Sequence, residues 1–275
     1  MRTVVHDGTV HREVSDGVAV LVLDRSPRNA LTPGFADALV AALEACGRDP
    51  EVRAVVLTGA GGVFSVGADL SDGPDALGRL VDADGGDRPG YREPAGRVTA
   101  AMGRLDVPVV AALTGDAVGG GATVALGADL RLAATGTRVG FPFTRLGVSP
   151  EGASTHHLPR VVGPGRAADW LLSGRLVEAP EALAAGFLGA VHPPDDVLPA
   201  AREWAGEVAR RTSPAAVAAT RALLRAAPAD PETAAAAESR TLVELVRGPD
   251  CAEGIAAFLE RRAPRFAPRS VGGDP

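Results

Sequence analysis

Apolar and polar positions along the first 135 residues alternate in short segments divided by turn residues. Residues 9–24 hold two such segments, "TVHREV" and "GVAVLVLD", on either side of Ser-Asp-Gly, which predicts a β-hairpin. Continuous apolar runs at 52–59 ("VRAVVLTG") and 107–115 ("VPVVAALTG") are typical of buried strands. Residues 123–135 ("TVALGADLRLAAT") predict a helix that passes into a third buried strand.

Helical periodicity follows the hairpin and returns in the C-terminal part. Thr32-Pro33 predicts a helix start, with the threonine as N-cap and proline at the first helical position. Apolar residues follow at helical spacing, at Phe35, Leu39, Leu43 and Cys46. From about residue 199 the pattern is helical throughout, as in "AREWAGEVARR" and "SPAAVAATRALLRAA". Buried strands alternating with helices predict an α/β fold.

This patterning divides the chain into an α/β core, residues 1–198, and a helical C-terminal region, residues 199–275. Residues 71–96 are rich in Gly, Asp and Pro with little periodicity, which indicates a mobile excursion that either shapes a substrate site or is a tolerated insertion. The last nine residues, "APRSVGGDP", are expected to be disordered.

Composition removes several classes of protein. The 275 residues carry a net charge of −6, so no basic surface for nucleic acid is predicted. No apolar run approaches the ~20 residues that a membrane-spanning helix needs, so no membrane segment is predicted. No signal peptide is predicted at the N-terminus, and Cys46 and Cys251 favour a reducing, cytoplasmic setting. The chain contains no lysine, which excludes Schiff-base chemistry and a Walker A site.

Three common functional motifs are incomplete in this sequence. The dinucleotide fingerprint breaks after Gly59 and Gly61, because Phe64 stands at the third glycine position. Ser65 misses the nucleophile elbow, because Val63 replaces its first glycine. The histidines and cysteines have no metal-ligand spacing, so no metal is assigned.

Two turns built from small residues remain. "FSVGADL" (64–70) follows one predicted strand, and "GDAVGGGATVALG" (115–127) follows the next. Glycines let the backbone approach a ligand closely and leave N–H groups free at a helix start. Each stretch alone is explained by a tight turn, but together they can supply paired N–H donors for one oxygen, which is an oxyanion hole.

Four motifs in order resemble the crotonase, or enoyl-CoA hydratase/isomerase, superfamily. They are "VFSVGADL", "TGDAVGGGATVALGADLRLAA", "GFPFTRLGVSPEGASTHHLPRVVG" and "WLLSGRLVEAPEALAAGFLGAV", and the resemblance extends from Asn29-Ala30-Leu31 to "AFLERR". It implies a spiral of ββα units with a helical C-terminal trimerisation region. It also implies an acyl-CoA thioester substrate, no separate cofactor, and a homotrimer or a dimer of trimers.

The resemblance also assigns residues. The backbone N–H groups of Ala68 and Gly120 would form the oxyanion hole, and the nucleotide end of CoA would lie near Arg25 and Arg28. Asp69 has two interpretations, substrate contact or capping of the next turn, and the second is favoured. The helix that carries Phe258 and Arg261 would close over CoA, from the same or a neighbouring subunit. The other positions assigned to substrate binding are Ala30, Val66, Leu70, Gly119 and Phe143.

The acid/base residues set the reaction apart from hydration. Hydratases of the superfamily carry two glutamates, at positions held here by Thr123 and Phe143, and neither side chain can activate water. Glu151 has two interpretations. It either stabilises a helix start, with Ser149 as N-cap and Pro150 as first helical residue, or it is the catalytic base.

The segment "PFTRLGVSPEGAS" resembles Δ3,Δ2-enoyl-CoA isomerases, in which a glutamate at the position of Glu151 is the base. The expected reaction is therefore conversion of a 3-enoyl-CoA to a 2-enoyl-CoA, in a pocket whose Phe141 and Phe143 would raise the pKa of Glu151. One rival is another crotonase reaction through an enolate, such as ring isomerisation, decarboxylation or thioester hydrolysis. Asp116 has two interpretations, a second acid for such a reaction or an anchor that only ties down its turn. The other is a non-catalytic acyl-CoA-binding subunit.

Overall fold

Parallel strands form the centre of the protein, and a short antiparallel unit extends one edge. The computed structural model describes residues 2–25, 28–226, 228 and 230–269. The strands of the main sheet are β1 (Arg2–His6), β2 (Val10–Ser15), β3 (Val18–Leu23), β4 (Ala54–Gly59), β5 (Val109–Leu113), β7 (Leu130–Ala134) and β10 (Ala190–His192). They lie in the order β1-β2-β3-β4-β5-β7-β10, with every pair from β3 to β10 parallel.

The hairpin predicted over residues 9–24 is confirmed. Strands β2 and β3 pair antiparallel from Val10 opposite Leu23 to Ser15 opposite Val18. The turn is made by Asp16 and Gly17, both at positive φ, 53° and 79°. Strand β1, which pairs antiparallel with β2, was not among the predicted elements, because its exposed Val4 and Val5 give no buried face to the pattern.

A second, smaller sheet lies beside the first. It contains β6 (Ala117–Val118), β8 (Arg138–Gly140) and β9 (Leu176–Glu178), with β8 in the middle. An isolated bridge joins Ser65 to Ala117 and another joins Leu31 to Ala68. These two bridges connect the segments that follow strands β3, β4 and β5.

Helices cover the sheets on both faces. They are α1 (Pro33–Arg48), α2 (Ala76–Ala83), α3 (Pro94–Arg104), α4 (Gly120–Leu126), α5 (Ser154–Val162), α6 (Pro164–Ser173), α7 (Ala179–Ala184), α8 (Val197–Arg211), α9 (Pro214–Ala226), α10 (Pro231–Val246) and α11 (Pro249–Leu259). Single 3₁₀ turns lie at Thr144–Leu146 and Pro194–Asp196. Within the described ranges, no helix is long and apolar enough to span a membrane.

The helix predicted after Thr32 is confirmed, with its cap. Thr32 Oγ1 accepts a hydrogen bond from Phe35 N at 3.3 Å, and Pro33 is the first helical residue. The four apolar residues chosen from the spacing, Phe35, Leu39, Leu43 and Cys46, are all buried. They belong to the larger core cluster, on one face of the main sheet.

The opposite face of the main sheet is covered by α8. Its Val197, Ala201, Ala205 and Ala209 are buried with residues of β3, β4, β5 and β7. The small side chains let this helix approach the strands closely. The division of the chain into two domains at residue 198 stays a prediction.

Residues 71–96 are more ordered than their composition predicts. They contain α2 and the start of α3, and partly buried ion pairs of Arg97 connect them to α1. Arg97 Nη1 lies 2.7 Å from Asp84 Oδ2, and Arg97 Nε lies 3.0 Å from Asp37 on α1. The weak local pattern did not reveal these helices, because charge pairing with residues outside the segment helps to hold them. The mobility of the segment stays a prediction.

The expected disorder of the C-terminus was wrong for residues 267–269. The Arg269 side chain is 6% exposed and donates to four main-chain carbonyls at the end of α1 and before β4. These carbonyls belong to Cys46, Gly47, Asp49 and Val52. The rest of the predicted disordered tail, residues 270–275, lies outside the described residues.

We expect Arg269→Ala to lower the free energy of unfolding by about 3 kcal/mol, since it leaves buried carbonyls without a charged donor. Urea denaturation followed by circular dichroism measures this loss. The exposed Arg247 supplies a matched control, and Arg247→Ala should change stability by less than about 0.5 kcal/mol. Equal stability of the two variants would contradict the anchoring role of Arg269.

Candidate functional site

The site is built where the segments after β4 and β5 run side by side. Phe64 N and Ser65 N donate to Asp116 O at 3.1 and 3.3 Å, and Val118 N donates to Ser65 O at 2.9 Å. Both segments leave the carboxyl ends of parallel strands, where α/β proteins place their ligand sites.

Gly67 and Gly120 bring the two segments into direct backbone contact. A Cβ at Gly67 would lie 2.8 Å from both Gly120 N and Val118 O, and Gly67 has a φ of 78°. Any other residue would therefore push the segments apart and strain the backbone. This approach places the peptide groups of Gly67–Ala68 and Gly119–Gly120 next to each other.

Buried polar side chains hold the first segment in place. Asn29 is 3% exposed, and its amide Nδ2 donates to the carbonyls of Ala60, Val63 and Phe64 within 3.2 Å. Ser65 Oγ donates to Asn29 O at 2.7 Å and accepts from Gly67 N at 3.2 Å. Ser65 is therefore structural, in agreement with the failed nucleophile motif, and the clamp formed by Asn29 was missed from sequence.

The amides of Ala68 and Gly120 are the free donors of this arrangement. Leu31 N donates to Gly67 O at 2.7 Å and so fixes the peptide that carries the Ala68 N–H. Gly120 is the first residue of α4, where the helix itself provides no acceptor. Over the ranges that the structure describes, neither N–H has a hydrogen-bond acceptor. Two free amides on adjacent segments can hold one oxyanion.

Glu151 lies against this amide pair. A Cβ at Gly120 would be 2.7 Å from Glu151 Oε1, so the carboxyl group occupies space that only a glycine leaves open. Helix α5 begins at Ser154, with Gly152 and Ala153 at positive φ before it. The interpretation of Glu151 as a first-turn residue, with Ser149 as N-cap, was therefore wrong. The carboxyl group is held by a turn, outside the helix.

The environment of Glu151 favours its protonated form. Burial, together with the negative charge of Glu93, raises the pKa of Glu151 to about 7. The upward shift expected from the sequence agrees in direction with this value, although Glu93 was not among the predicted residues. A carboxyl group with a pKa near neutrality can both take and return a proton.

Thr123 and Phe143, at the two hydratase positions, have different surroundings. Thr123 is 1% exposed and packs on Gly152, where a Cβ would lie 2.3 Å from Thr123 Cγ2. Its Oγ1 has no hydrogen-bond partner among the described residues. Phe143 is 7% exposed and belongs to the main core. Neither residue places a carboxylate beside Glu151.

Asp116 is committed to an ion pair with Arg138. Its Oδ1 accepts from Arg138 N at 2.9 Å, and its Oδ2 lies 2.5 Å from Arg138 Nη2. Of the two roles left open for Asp116, second acid or anchor of the turn, these contacts favour the anchor. Asp116 and Arg28 line a cavity of about 430 Å³ at the ends of β5 and β7.

The residues assigned to CoA binding on the first two loops do lie together. Arg25 Nη1 donates to Ala30 O at 3.0 Å and lies 3.5 Å from Asp69 Oδ2. Asp69 also accepts from the hydroxyl and amide of Ser71, and these bonds hold its pKa below the usual range. The turn-capping role favoured for Asp69 is thus present. Leu70 is exposed beside it.

Val66, Arg28 and Gly119 border the same loops. Val66 N donates to Arg28 O at 3.3 Å, and Arg28 adopts a φ of 62° with an exposed side chain. Gly119 N donates to Gly140 O at 2.9 Å, which ties the turn before α4 to β8. Contact of these residues with CoA stays a prediction.

Phe258 and Arg261 are not brought to Glu151 within the described chain. Phe258 is 81% exposed on α11, which packs on α10, and Arg261 follows at a φ of 54°. The neighbouring Arg262 forms ion pairs with Glu253 and Glu260. Closure of this helix over CoA stays a prediction.

Glu93 is the residue of this site that the sequence did not reveal. It precedes Pro94 at the start of α3, and its Oε1 accepts from Gly152 N at 2.5 Å. The only local signal was a polar residue before proline, which predicts a helix cap and says nothing about a contact 59 residues away.

Comparison with known proteins agrees with this geometry. A family model described as enoyl-CoA hydratase/isomerase matches residues 13–269. Enoyl-CoA hydratase ACTT3 of Alternaria alternata is 37% identical over 263 residues, which cover 95% of this chain and 86% of that protein.

Solved structures are similar over almost the whole chain. A probable enoyl-CoA hydratase/isomerase from Mycobacterium abscessus has a TM-score of 0.84 and 35% identity, covering 97% of this chain and 100% of that chain. An enoyl-CoA hydratase from Polaromonas sp. JS666 has a TM-score of 0.86 and 28% identity, covering 94% of this chain and 100% of that chain. The chain belongs to the enoyl-CoA hydratase/isomerase family, that is, the crotonase superfamily.

The close approach of the backbone at Gly67 and Gly120 predicts that a methyl group added at Gly67 lowers activity. Gly67→Ala should reduce turnover of an enoyl-CoA by about 100-fold or more, because it displaces Gly120 N from the amide pair. Initial rates with and without the substitution test this. Gly34→Ala is the control, since a Cβ there meets nothing within 4 Å, and it should leave the rate unchanged. Full activity of Gly67→Ala would contradict the arrangement.

Proposed function

We propose that this protein is an enoyl-CoA isomerase that converts a 3-enoyl-CoA to the conjugated 2-enoyl-CoA with Glu151 as its base. The proposal is supported chiefly by the position of Glu151 Oε1, which lies 2.7 Å from where a Cβ of Gly120 would be. The base and the amide pair are thus in contact range of one small substrate group.

The chemistry needs a single carboxylate. Ionised Glu151 takes a proton from C2, and the electron pair of the C–H bond passes through the thioester carbonyl to its oxygen. The resulting dienolate oxygen is held by the amides of Ala68 and Gly120. Protonated Glu151 then gives the proton to C4, the carbonyl re-forms, and the double bond lies between C2 and C3. CoA leaves as part of the product, and no separate cofactor is required.

Hydration is the competing reaction, because relatives such as ACTT3 are named hydratases. Addition of water in this superfamily uses two glutamates, and Thr123 and Phe143 stand at their positions. The ion pair of Asp116 with Arg138 also weakens the rival in which Asp116 is the acid. A non-catalytic acyl-CoA binder would not need a buried carboxyl group with a pKa of about 7 beside two free amides.

The assembly we propose is a homotrimer or a dimer of trimers. The C-terminal helices expose large apolar side chains that an isolated chain would leave in water, namely Leu224, Leu242, Val246, Ile255, Phe258 and Leu259. We also propose a cytoplasmic location, because Cys46 is a buried free thiol and Cys251 is unpaired.

Turnover of 3-hexenoyl-CoA, followed as conjugated thioester by absorbance, tests the function. We expect wild-type kcat/KM to rise with pH through about 7, as Glu151 ionises. Glu151→Gln should lower kcat by about 100- to 10,000-fold, because the amide cannot accept the proton. Its affinity for acyl-CoA, measured by calorimetry, should be retained.

Asp116→Asn is the matched control, because it removes a charge while keeping an acceptor for Arg138. It should isomerise at nearly the wild-type rate. The proposal fails if Glu151→Gln remains active while Asp116→Asn does not, or if wild type hydrates 2-hexenoyl-CoA and leaves 3-hexenoyl-CoA unchanged.

A further inference from the structure

Glu93 makes a contact that a helix cap would not make. It stands at the N-cap position of α3 with a φ of −60° and a ψ of 159°, but its side chain accepts no bond from its own helix. Its Oε1 instead accepts from Gly152 N at 2.5 Å, across 59 residues of sequence. The carboxylate therefore binds the residue directly after Glu151.

The turn that receives this bond is strained. Gly152 and Ala153 both have a φ of 59°, which is strained for Ala153 because it is not a glycine. Ser154 holds the other end, since its N and Oγ donate to Glu151 O at 3.0 and 2.7 Å. Glu93 and Ser154 together fix the main chain on both sides of the Glu151 side chain.

The negative charge of Glu93 also acts on the Glu151 carboxyl group. Besides Glu93, the titratable or charged residues of the adjoining cavity of about 430 Å³ are Tyr91, Arg92, His157 and Arg225. Arg225 is engaged with Gly127 O and Asp129. Burial, with the charges of His156, Arg225 and Arg160, holds the pKa of His157 below its usual value. Burial and Glu93 are the causes of the raised pKa of Glu151.

We propose that Glu93 is a positioning residue for the base: it fixes the Gly152 amide, and its negative charge favours the protonated form of Glu151. This role rests on the proposed isomerase function, in which one carboxyl group must both remove a proton at C2 and deliver it at C4. A base whose protonated form is readily populated is suited to the second step.

Two substitutions separate the bond from the charge. Glu93→Gln keeps a carbonyl acceptor for Gly152 N–H and removes the charge, whereas Glu93→Ala removes both. Glu207→Gln is the matched control, because Glu207 is a surface residue of α8 paired with Arg211 at 2.9 Å. Each protein is titrated by ¹³C NMR of labelled glutamate carboxyls, with the Glu151 signal assigned from Glu151→Gln. The kcat/KM profile on 3-hexenoyl-CoA is measured in parallel.

In Glu93→Gln we expect the midpoints of the Glu151 titration and of the acidic limb of kcat/KM to move to lower pH, with kcat at high pH close to wild type. Glu93→Ala should show the same direction of shift and, in addition, a lower kcat at every pH, with KM little changed. Glu207→Gln should match wild type in all measurements.

An unchanged Glu151 midpoint in Glu93→Gln would overturn the proposal, whether or not the protein isomerises its substrate. A shifted midpoint in a protein that does not isomerise would support the role of Glu93 and overturn the function instead. Equal kcat values for Glu93→Gln and Glu93→Ala would remove the positioning part, because the bond to Gly152 would then be dispensable.

Discussion

The contact of two backbone segments at Gly67 and Gly120 is the constraint on which the site depends. Parallel pairing of β3, β4 and β5 delivers the segments to one edge of the sheet, but only the missing Cβ of Gly67 lets them touch. Asn29 and Ser65 then donate hydrogen bonds to main-chain carbonyls that this approach buries. The free amides of Ala68 and Gly120 are what remains. The pair of free amides thus follows from strand order and two glycines.

The proposed base is positioned separately from the amides. Glu151 extends from a turn before α5, and it reaches the amide pair because Gly120 has no side chain. Its burial raises its pKa, so the packing that places the group also adapts it to proton transfer. In this chain the amide pair and the Glu151 carboxyl group come from different segments. The reaction can therefore change with one side chain while the amide pair stays.

Much of the fold was predictable from local pattern. The hairpin, the Thr32 cap and the three buried strands followed from alternation and spacing, because those elements bury the faces that the pattern marks. Residues 71–96 and Arg269 were not predictable, since ion pairs and buried carbonyls joined them to distant segments. Ala68, Gly120 and Glu151 were assigned from resemblance and glycine chemistry. Glu93 could not be found, because its contact with Gly152 exists only in three dimensions.

Exchange of the C2 protons of hexanoyl-CoA in D₂O tests the central claim most directly, since this saturated thioester has no double bond to move. Bound next to Glu151 and the two amides, it should lose C2 protons to the base and gain deuterium, detected by mass spectrometry. We predict exchange with wild type and none above background with Glu151→Gln, although both bind the thioester. Wild-type protein that binds hexanoyl-CoA without exchanging its C2 protons would contradict the account.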